Sequence, residues 1–522
     1  MHAPESPRSS LLFLAVTALG LTACGDDGSG TDSKGASTSG GTAIPTTQTD
    51  SDTATTASAT ATVGGTTDSA GSDSATDSSA TTPTTNPTTN PSTGGTTDDP
   101  SGGTTMGVVS TGTTAGMSSS TGPIGPVCGN GLVEDAEQCD DGNDFNLDFC
   151  SNECTKVPCD QQEGNPGELL SFIWIANSPE GTVSKIETKT GIEVGRYRVQ
   201  GGNPSRTSVN LLGDVAVSSR DPGGVTKIAA RLEDCVDKNG DAVIQTSNGP
   251  GNILALGQDE CVLWTKVIPS PGYGYGPRAT AWEGAVPDPD TCISPPPRLW
   301  FGWMDNANTA HFERVDGTTG TTLDTVSMPW GGGYSPYGGA VNAAGDFFAT
   351  GLNTQPAIKI DAKTLEVTNF GIPNGCKYGM TLDNDGNIWN GGCIGGHVYN
   401  YDMVAKQWTD IGWAQGDRVN GVMADAEGNI WGAGSSPCRL VHIDAKTKTF
   451  INANIPIPGC SNPWGVSIDY EGYVWIVDMG ANIAFKIDPD TYQVVLTAKG
   501  LVNPYTYSDM TGAALKAQVI PQ

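Results

Sequence analysis

The sequence has few basic residues and an uneven supply of aromatic ones. Lys and Arg number 27 against 57 Asp and Glu, which gives a formal net charge of −30. This balance argues against binding nucleic acid, or an anionic membrane surface, by charge attraction. Every Trp and Tyr lies after residue 170, and residues 25–125 hold no aromatic residue and a single base, Lys34. We therefore expect an N-terminal part without a hydrophobic core, followed by a folded part.

No apolar run is long enough to span a bilayer as a helix. The apolar stretch near the N-terminus runs from Leu11 to Leu21 and is too short for a stable span. It ends in Leu21-Thr22-Ala23-Cys24, which resembles the lipobox of bacterial lipoprotein signal peptides. The resemblance implies cleavage before Cys24, acylation of that residue and anchoring at the bacterial cell envelope, on the outer membrane or cell surface. An ordinary cleaved signal with a chance cysteine is the alternative.

Residues 24–127 are of low complexity and rich in Ser, Thr, Gly and Asp. Residues 25–125 contain ten Asp. Such a segment cannot bury enough apolar area to offset the entropy lost on ordering. We predict a disordered stalk that holds the folded part away from the membrane.

Thirteen cysteines indicate an oxidising compartment. Residues 128–160 are predicted to form a small disulfide-rich module. Its four core cysteines are Cys128, Cys139, Cys150 and Cys154. They predict two disulfides, and three connectivities are open. The pattern C-G-N-G…E-x-C-D-D-G-N…D-x-C-x-x-x-C resembles the cysteine-rich repeat common in surface proteins of myxobacteria. A zinc site is a rival interpretation, and calcium bound by Asp140, Asp141 and Asp148 is another.

A repeat begins near residue 170. Three copies contain Trp389, Trp431 and Trp475, each after a turn with Gly and thirteen residues before an Asp. The interval recurs at Trp174, Ala216, Phe348 and Trp303, with Trp300 as an alternative to Trp303. The plain copies recur every 41 to 44 residues, the period of a four-stranded propeller blade.

Seven such units start near residues 170, 208, 277, 337, 378, 419 and 464. We predict an all-β, seven-bladed β-propeller over residues 168–515. The first unit lacks an opening strand, and residues Asn503–Ser508 parallel Asn462–Ser467. The C-terminal strand is therefore predicted to complete blade 1 and close the ring.

The sequence pattern P-x-G-[IV]…D-x-x-G-N-[IV]-W…K-I-D-x-x-T resembles that of the virginiamycin B lyase (streptogramin lyase) propeller family, which is similar to the NHL-type repeats. In that family a metal-assisted elimination uses a His at a blade opening and a Glu fourteen residues downstream. The corresponding openings here hold Tyr337, Tyr378, Asn420, Trp464 and Tyr505. The sites fourteen residues after the first four hold Gly351, Gly392, Gly434 and Asp478. None of these positions holds the His or the Glu of that family, which disfavours catalysis.

The aromatic residues at the blade openings should gather at one mouth of the central channel. The ligand-binding candidates are these four aromatic residues and two polar ones, namely Tyr337, Tyr378, Trp464, Tyr505, Asn420 and Asp478. Rigid rings with a few polar groups suit a glycan or small-molecule site. The alternative is that the rings plug the channel and pack on one another.

One loop suggests a metal site. Asp237, Asn239 and Asp241 alternate as in the start of an EF-hand loop, a spacing of oxygen ligands that suits calcium. Two positions depart from that pattern, with Ala242 in place of Gly and Asn248 in place of Glu. A plain acidic turn is the alternative, and calcium is the cofactor that this pattern favours.

The propeller cysteines are predicted to pair as Cys235 with Cys261, Cys376 with Cys393 and Cys438 with Cys460. Cys159 with Cys292 is a further guess. For the whole protein we expect an exported lipoprotein whose propeller binds a surface glycan, peptide or protein and is not an enzyme. The alternatives are a lyase-like enzyme with relocated chemistry and a purely structural platform.

Overall fold

The computed structural model describes residues 128–129, 132–134, 137–140, 150–158, 170–284, 296–372 and 375–519. Several predictions concern residues outside these ranges. They are the acylation of Cys24, the stalk of residues 24–127, the calcium ligands Asp141 and Asp148, and the Cys159–Cys292 pair. These stay predictions.

The strands of the described residues form seven antiparallel sheets, one for each predicted unit. Blade 1 contains β1 (Phe172–Asn177), β2 (Thr182–Glu187) and β3 (Glu193–Arg198). Blade 2 contains β4 (Pro204–Val209), β5 (Val215–Arg220), β6 (Gly223–Ile228) and β7 (Val262–Val267). Blade 3 contains β8 (Ala279–Trp282), β9 (Arg298–Met304), β10 (Thr309–Asp316) and β11 (Thr322–Pro329). Blade 4 contains β12 (Gly338–Val341), β13 (Phe347–Thr350), β14 (Ala357–Ile360) and β15 (Val367–Asn369).

The last three blades follow the same order from the inner to the outer strand. Blade 5 contains β16 (Lys377–Leu382), β17 (Ile388–Gly392), β18 (His397–Asp402) and β19 (Gln407–Trp413). Blade 6 contains β20 (Arg418–Ala424), β21 (Asn429–Ser435), β22 (Arg439–Asp444) and β23 (Thr449–Pro456). Blade 7 contains β24 (Pro463–Ile468), β25 (Val474–Asp478), β26 (Ile483–Ile487) and β27 (Val494–Lys499). The inner strands are buried along their length and the outer ones are only partly buried, so the core lies between the blades.

The C-terminal segment supplies the opening strand that blade 1 lacks. The N–H of Tyr505 donates to the carbonyl of Ala176 in β1 at 3.1 Å, and the N–H of Trp174 donates to the carbonyl of Met510 at 2.9 Å. On its other side the segment contacts blade 2, where Thr207 and Ser508 exchange hydrogen bonds. The segment is less regular than the other inner strands, with a single β-bridge to β1. It closes the ring as predicted.

A buried acidic side chain follows the inner strand of most blades. In blades 5, 6 and 7 it accepts the indole Nε1–H of the blade tryptophan, with the pairs Asp383–Trp389 at 2.7 Å, Asp425–Trp431 at 2.8 Å and Asp469–Trp475 at 2.8 Å. In blade 7 this acid also pairs with Lys486 of the third strand. In blades 5, 6 and 7 it ties the hairpin turn to the blade core, because it also accepts N–H groups of the turn. In blades 2 and 4 the lysine of the third strand pairs with an acid directly before the second strand, in Asp214–Lys227 and Asp346–Lys359.

Removal of one such acid should destabilise the ring. In the variant Asp425→Ala, three donors lose their acceptor, namely the Trp431 Nε1–H and the backbone and side-chain N–H groups of Asn429. We expect the free energy of unfolding to fall by about 3 kcal/mol, since buried unsatisfied donors cost about 1–3 kcal/mol each. Denaturant titration measures it. The turn variant Asp444→Ala is the control and should lose clearly less; equal losses would contradict this account.

The strand pairing in blade 3 shows which of its two tryptophans is equivalent to the repeat-position Trp of other units, such as Trp389. Trp300 lies opposite Arg314 and is fully buried, and its Nε1–H donates to Glu283 at 2.8 Å. Trp303 lies opposite His311 and is partly exposed. Trp300 is therefore the equivalent of Trp389, with three residues inserted before the next acid.

Five disulfides form among the described cysteines. In the small module the pairs are Cys128–Cys154 and Cys139–Cys150, which selects one of the three open connectivities. In the propeller the three predicted pairs form, namely Cys235–Cys261, Cys376–Cys393 and Cys438–Cys460. Each propeller pair joins segments of one blade or of its connecting loops.

The chain also contains one feature that its periodicity did not predict. Residues Ala513–Val519 form a short helix, α1, directly after the closing segment. Leu515 of this helix packs in the core formed with Trp282 and Leu299. Within the described ranges, no helix has the length and hydropathy needed to cross a membrane.

Candidate functional site

The aromatic residues at the blade openings meet at one end of the central channel. We call Tyr337, Tyr378, Trp464, Tyr505 and Tyr507 the channel cluster. Ring centroids lie 5.2 Å apart for Tyr337 and Tyr378, and 5.0 Å apart both for Tyr378 and Trp464 and for Trp464 and Tyr505. Each of the five is at most 5% exposed. The sequence-predicted site residues are thus brought together, but their rings pack on one another instead of facing solvent.

The two polar candidates are also buried. The Asn420 Nδ2–H donates to the carbonyl of Pro463 at 2.8 Å, which links blade 6 to blade 7. The Asp478 carboxylate accepts N–H groups of Ser461, Asn462, Gly480 and Ala481 at 2.5–3.1 Å. Asp478 therefore shapes the loops at the end of blade 7 and does not present a carboxylate to the channel mouth.

A buried arginine completes the channel cluster, and the sequence did not point to it. Arg206 of β4 is 1% exposed. Its guanidinium carbon lies 3.1 Å from the ring centroid of Tyr507 and 5.0 Å from that of Tyr337. One of its N–H groups donates to the carbonyl of Tyr337 at 3.1 Å. Burial lowers the pKa of Arg206 to about 10, so it stays protonated at neutral pH and is held by cation–π and hydrogen-bond contacts.

Above this cluster, two loops rich in Gly and Tyr form the exposed rim of the mouth. They are residues 269–277 before β8 and residues 330–336 before β12. The N–H of Ser335 donates to the carbonyl of Gly274 at 2.8 Å. A Cβ on Gly274 would lie 3.3 Å from the carbonyl oxygen of Gly333, so glycine permits the two loops to approach closely. The loops present Tyr273, Tyr275 and Tyr334, which we call the rim tyrosines and which are half-buried.

Two arginines hold the rim tyrosines from below. Arg220 lies 4.6 Å from the ring centroid of Tyr273 and 4.5 Å from that of Tyr505. Arg278 lies 5.4 Å from the ring centroid of Tyr334 and 5.5 Å from that of Tyr337. Each cation thus contacts one half-buried rim ring and one buried ring of the channel cluster. These contacts fix the rim rings and place positive charge directly beneath them.

The basic residues that could support an elimination lie elsewhere or are engaged. His311 and His442 lie in third strands, where they stack on Trp303 and Trp431, and burial lowers the pKa of His442. His397, on β18, contacts Asp410 at 2.9 Å. Lys377 is buried beside the channel cluster, and burial lowers its pKa to about 8. Its Nζ donates to the carbonyls of Asn353 and Gln355 at 2.7 and 3.2 Å.

The calcium candidates share one exposed loop. The Asp237 carboxylate accepts the N–H groups of Gly240 and Ala242 at 2.6 and 2.8 Å, which lowers its pKa. Ala242 has a φ of 63°, the conformation that the sixth position of such a loop needs. The Gln245 Nε2–H group donates to both carboxylate oxygens of Asp241 at 3.0–3.2 Å. Calcium binding by Asp237, Asn239 and Asp241 stays a prediction.

Two clusters of metal-capable side chains occur in the described residues. One combines Cys438, Cys460 and Asp478, and the other combines Glu137, Asp140 and Cys154. Both depend on cysteines that form disulfides, and such sulfurs are not thiolate ligands. In the small module, Asp140 accepts the N–H of Gly129 at 3.0 Å. These contacts favour a structural role for both clusters.

The fold and its channel define the class of this protein, a seven-bladed β-propeller. Among solved structures, it is similar to virginiamycin B lyase from Staphylococcus aureus, with a TM-score of 0.43 at 14% identity over 59% of this chain and 88% of that chain. A streptogramin B lyase structure aligns with a TM-score of 0.39 at 15% identity over 57% of this chain and 83% of that chain. A functionally unknown protein from Desulfotomaculum acetoxidans aligns with a TM-score of 0.43 at 14% identity, over 64% of this chain and 96% of that chain.

These scores and identities carry no argument about activity, and the assignment of the class rests on the seven sheets themselves. No family model matches the sequence. No curated protein matches it either.

Proposed function

We propose that this protein is a non-catalytic binding module, anchored at the bacterial cell envelope, that recognises a glycan, peptide or protein at the channel mouth. The rim tyrosines are the recognition surface, and the channel cluster is the rigid floor that supports them. The carrying observation is the packing of the half-buried Tyr273 and Tyr334 on Arg220 and Arg278.

The chemistry of the rim supports recognition by ring stacking. Tyr rings supply a large contact area with little entropy lost on binding, and Gly-rich loops expose backbone hydrogen-bonding groups. A sugar ring can stack on a rim tyrosine while its hydroxyls bond to the backbone of residues 331–333, which are exposed. A glycan satisfies both features.

Loss of the rim rings should abolish this binding. We expect Tyr334→Ala and Tyr273→Ala to weaken binding on a glycan and peptide array about tenfold or more, as for other central aromatic anchors. Tyr470→Ala is the matched control, because Tyr470 is a half-buried tyrosine beside Lys516 of α1. Thermal unfolding shows whether each variant keeps its fold. Absence of any ligand, or rim variants that bind as well as the control, would refute the proposal.

The anchor is tested separately from the binding surface. The support for acylation of Cys24 is the Leu-Thr-Ala-Cys ending of an apolar stretch. Metabolic labelling with a fatty acid should mark the wild type and leave Cys24→Ser unlabelled and released from membranes. Labelling that persists in the variant would remove the lipoprotein assignment but would not affect the rim proposal.

A lyase-like enzyme is the alternative function. The support for an enzyme is the repeat pattern that resembles that of the streptogramin lyases. The contacts of the buried Lys377 do not favour catalysis, since the ammonium group of this lysine donates to backbone carbonyls. Turnover of a cyclic peptide lactone by the purified protein would establish this alternative over a binding module.

A further inference from the structure

A cavity lies at the end of the channel opposite the channel cluster. Its wall is formed where the inner strands end, at Trp282 of β8, Val341 of β12 and Leu382 of β16. Leu515 and Gln518 of α1 lie against it. The cavity has a volume of about 50 Å³ and is partly open to solvent. Since one water molecule needs about 10–15 Å³ of such volume, the cavity holds roughly three to five non-hydrogen atoms, the size of a small organic ion.

The lining of this cavity is mainly apolar. Its apolar members include Met380, Met423 and Ala514 in addition to the strand ends. The neutral polar members are already bonded within the protein. Ser208 accepts the N–H of Trp282 at 3.1 Å, and Gln518 donates to the carbonyl of Asp383 at 2.8 Å.

Asp509 is the one charged residue among those that line the cavity. Its Oδ1 accepts the N–H groups of Thr511 and Gly512 at 3.1 and 2.8 Å. The Leu515 N–H and the Thr511 hydroxyl also donate to the carboxylate, but among the described residues no Lys, Arg or His pairs with it. Lys516 of the adjacent helix lies over the ring of Tyr470 and lines a different cavity. Burial raises the pKa of Asp509 to about 6, so the group is anionic at neutral pH.

We propose that this cavity binds a small organic ammonium ion, such as a primary amine with an apolar body. The ammonium group pairs with the carboxylate of Asp509, and the hydrocarbon part contacts Met380, Met423 and Leu515. A partly buried carboxylate without a cationic partner is unfavourable, and an ammonium ion supplies both the charge and further N–H donors.

The lining disfavours the other classes of ligand. Calcium takes 6–8 oxygen ligands, whereas this wall offers one carboxylate, hydrocarbon and thioether groups, and hydroxyl and amide groups such as those of Ser208 and Gln518 that are already bonded. An anion would be repelled by Asp509. A neutral apolar molecule would fill the space but leave the carboxylate without a partner.

Binding of n-butylammonium to the full chain tests the proposal. Isothermal titration and thermal unfolding in phosphate buffer at pH 7.5 should show saturable binding and a concentration-dependent rise in melting temperature. The matched neutral ligand is 1-butanol, which should bind at least about tenfold more weakly, since tenfold corresponds to a modest 1.4 kcal/mol. Calcium and sodium chloride are the inorganic comparisons and should give no shift at equal concentration.

Two variants assign the binding to this cavity. Asp509→Asn keeps an oxygen acceptor for Thr511 and Gly512 and removes the charge, and we expect at least a tenfold loss of butylammonium affinity. Ala514→Leu fills the cavity and should abolish binding with Asp509 intact, which covers the case in which Asp509→Asn fails to fold. Asp490→Asn, on an exposed turn, should bind as the wild type does. No binding, equal binding of 1-butanol, or binding that survives both cavity variants would overturn the proposal.

Discussion

Truncation after Gly500 is expected to abolish cooperative folding of the propeller. The deletion removes Tyr505, Tyr507 and Met510, each at most 4% exposed. Burial of one such side chain contributes about 2 kcal/mol, so three contribute roughly 6 kcal/mol. The total stability of a folded domain is about 5–15 kcal/mol. The free energy lost on truncation is therefore comparable with the total stability of the domain.

The geometry of the closing segment strengthens this expectation, because both neighbouring blades depend on it. Without it, β1 loses hydrogen bonds from Tyr505 and to Met510 and becomes an open edge. On the side of blade 7, the carbonyl of Thr506 approaches so closely to Gly465 of β24 that any Cβ there would clash. Arg206 would lose the ring of Tyr507 against which it is packed.

Near-UV circular dichroism and thermal unfolding of the truncated chain measure this effect. We expect no cooperative transition, together with aggregation through the exposed edge of blade 1. A chain truncated after Val519 is the control and should unfold as the wild type does. A cooperative transition within a few degrees of the wild type after truncation at Gly500 would show that six complete blades and β1–β3 are self-sufficient.

Asp509→Asn is expected to stabilise the protein at pH 8 in the absence of amines and to have little effect at pH 4. The carboxyl has a pKa of about 6 in the folded protein and about 3.9 when unfolded. Above pH 6 the folded state holds a buried carboxylate that would be hydrated on unfolding, so Asp509 lowers stability there. As the pH falls from about 7 to about 4, the folded state takes up the proton first, and this loss disappears.

The expected gain at pH 8 is about 1–3 kcal/mol, since one unit of pKa corresponds to 1.36 kcal/mol. Asp509 keeps some exposure through the cavity that it lines, which places the effect below the upper end of that range. Denaturant unfolding at both pH values, in phosphate and acetate buffers, measures it. The control Asp490→Asn should show no comparable difference between the two pH values. A variant less stable than the wild type at pH 8 would show that the carboxylate is stabilising, through the N–H groups at the start of α1.

The fold could be predicted because the repeat carries its own physical signature. Each plain unit contains a Gly turn, a buried Trp and a capping Asp at fixed spacing, and these three features set a hairpin and its register. The C-terminal residues Asn503–Ser508 have the sequence pattern of a blade-opening strand, although no further blade follows them. This pattern indicated that they close the ring. In blade 3 the spacing alone left Trp300 and Trp303 open, and strand pairing with Arg314 decided between them.

The candidate site was harder to predict, because exposure depends on what else enters the channel. The position of Tyr337, Tyr378, Trp464 and Tyr505 at the blade openings followed from the repeat. Their burial did not, since it results from packing against each other and against Arg206, which comes from a different blade. The rim tyrosines lie in loops without repeat character, and two Gly/Tyr-rich segments, residues 269–277 and 330–336, are the signal that could have found them.

The sequence by itself determined an all-β ring of seven units, its closure by the C-terminus and three of its disulfides, because these depend on local spacing and on the geometry of one blade. The tertiary structure decided which aromatic rings are accessible, where the cations of Arg206, Arg220 and Arg278 lie, and that Asp509 lines a cavity under α1. Those properties arise where side chains of several blades meet on the channel axis. Residues that are distant in sequence meet there, so their environment is set by the closed ring and not by any single repeat.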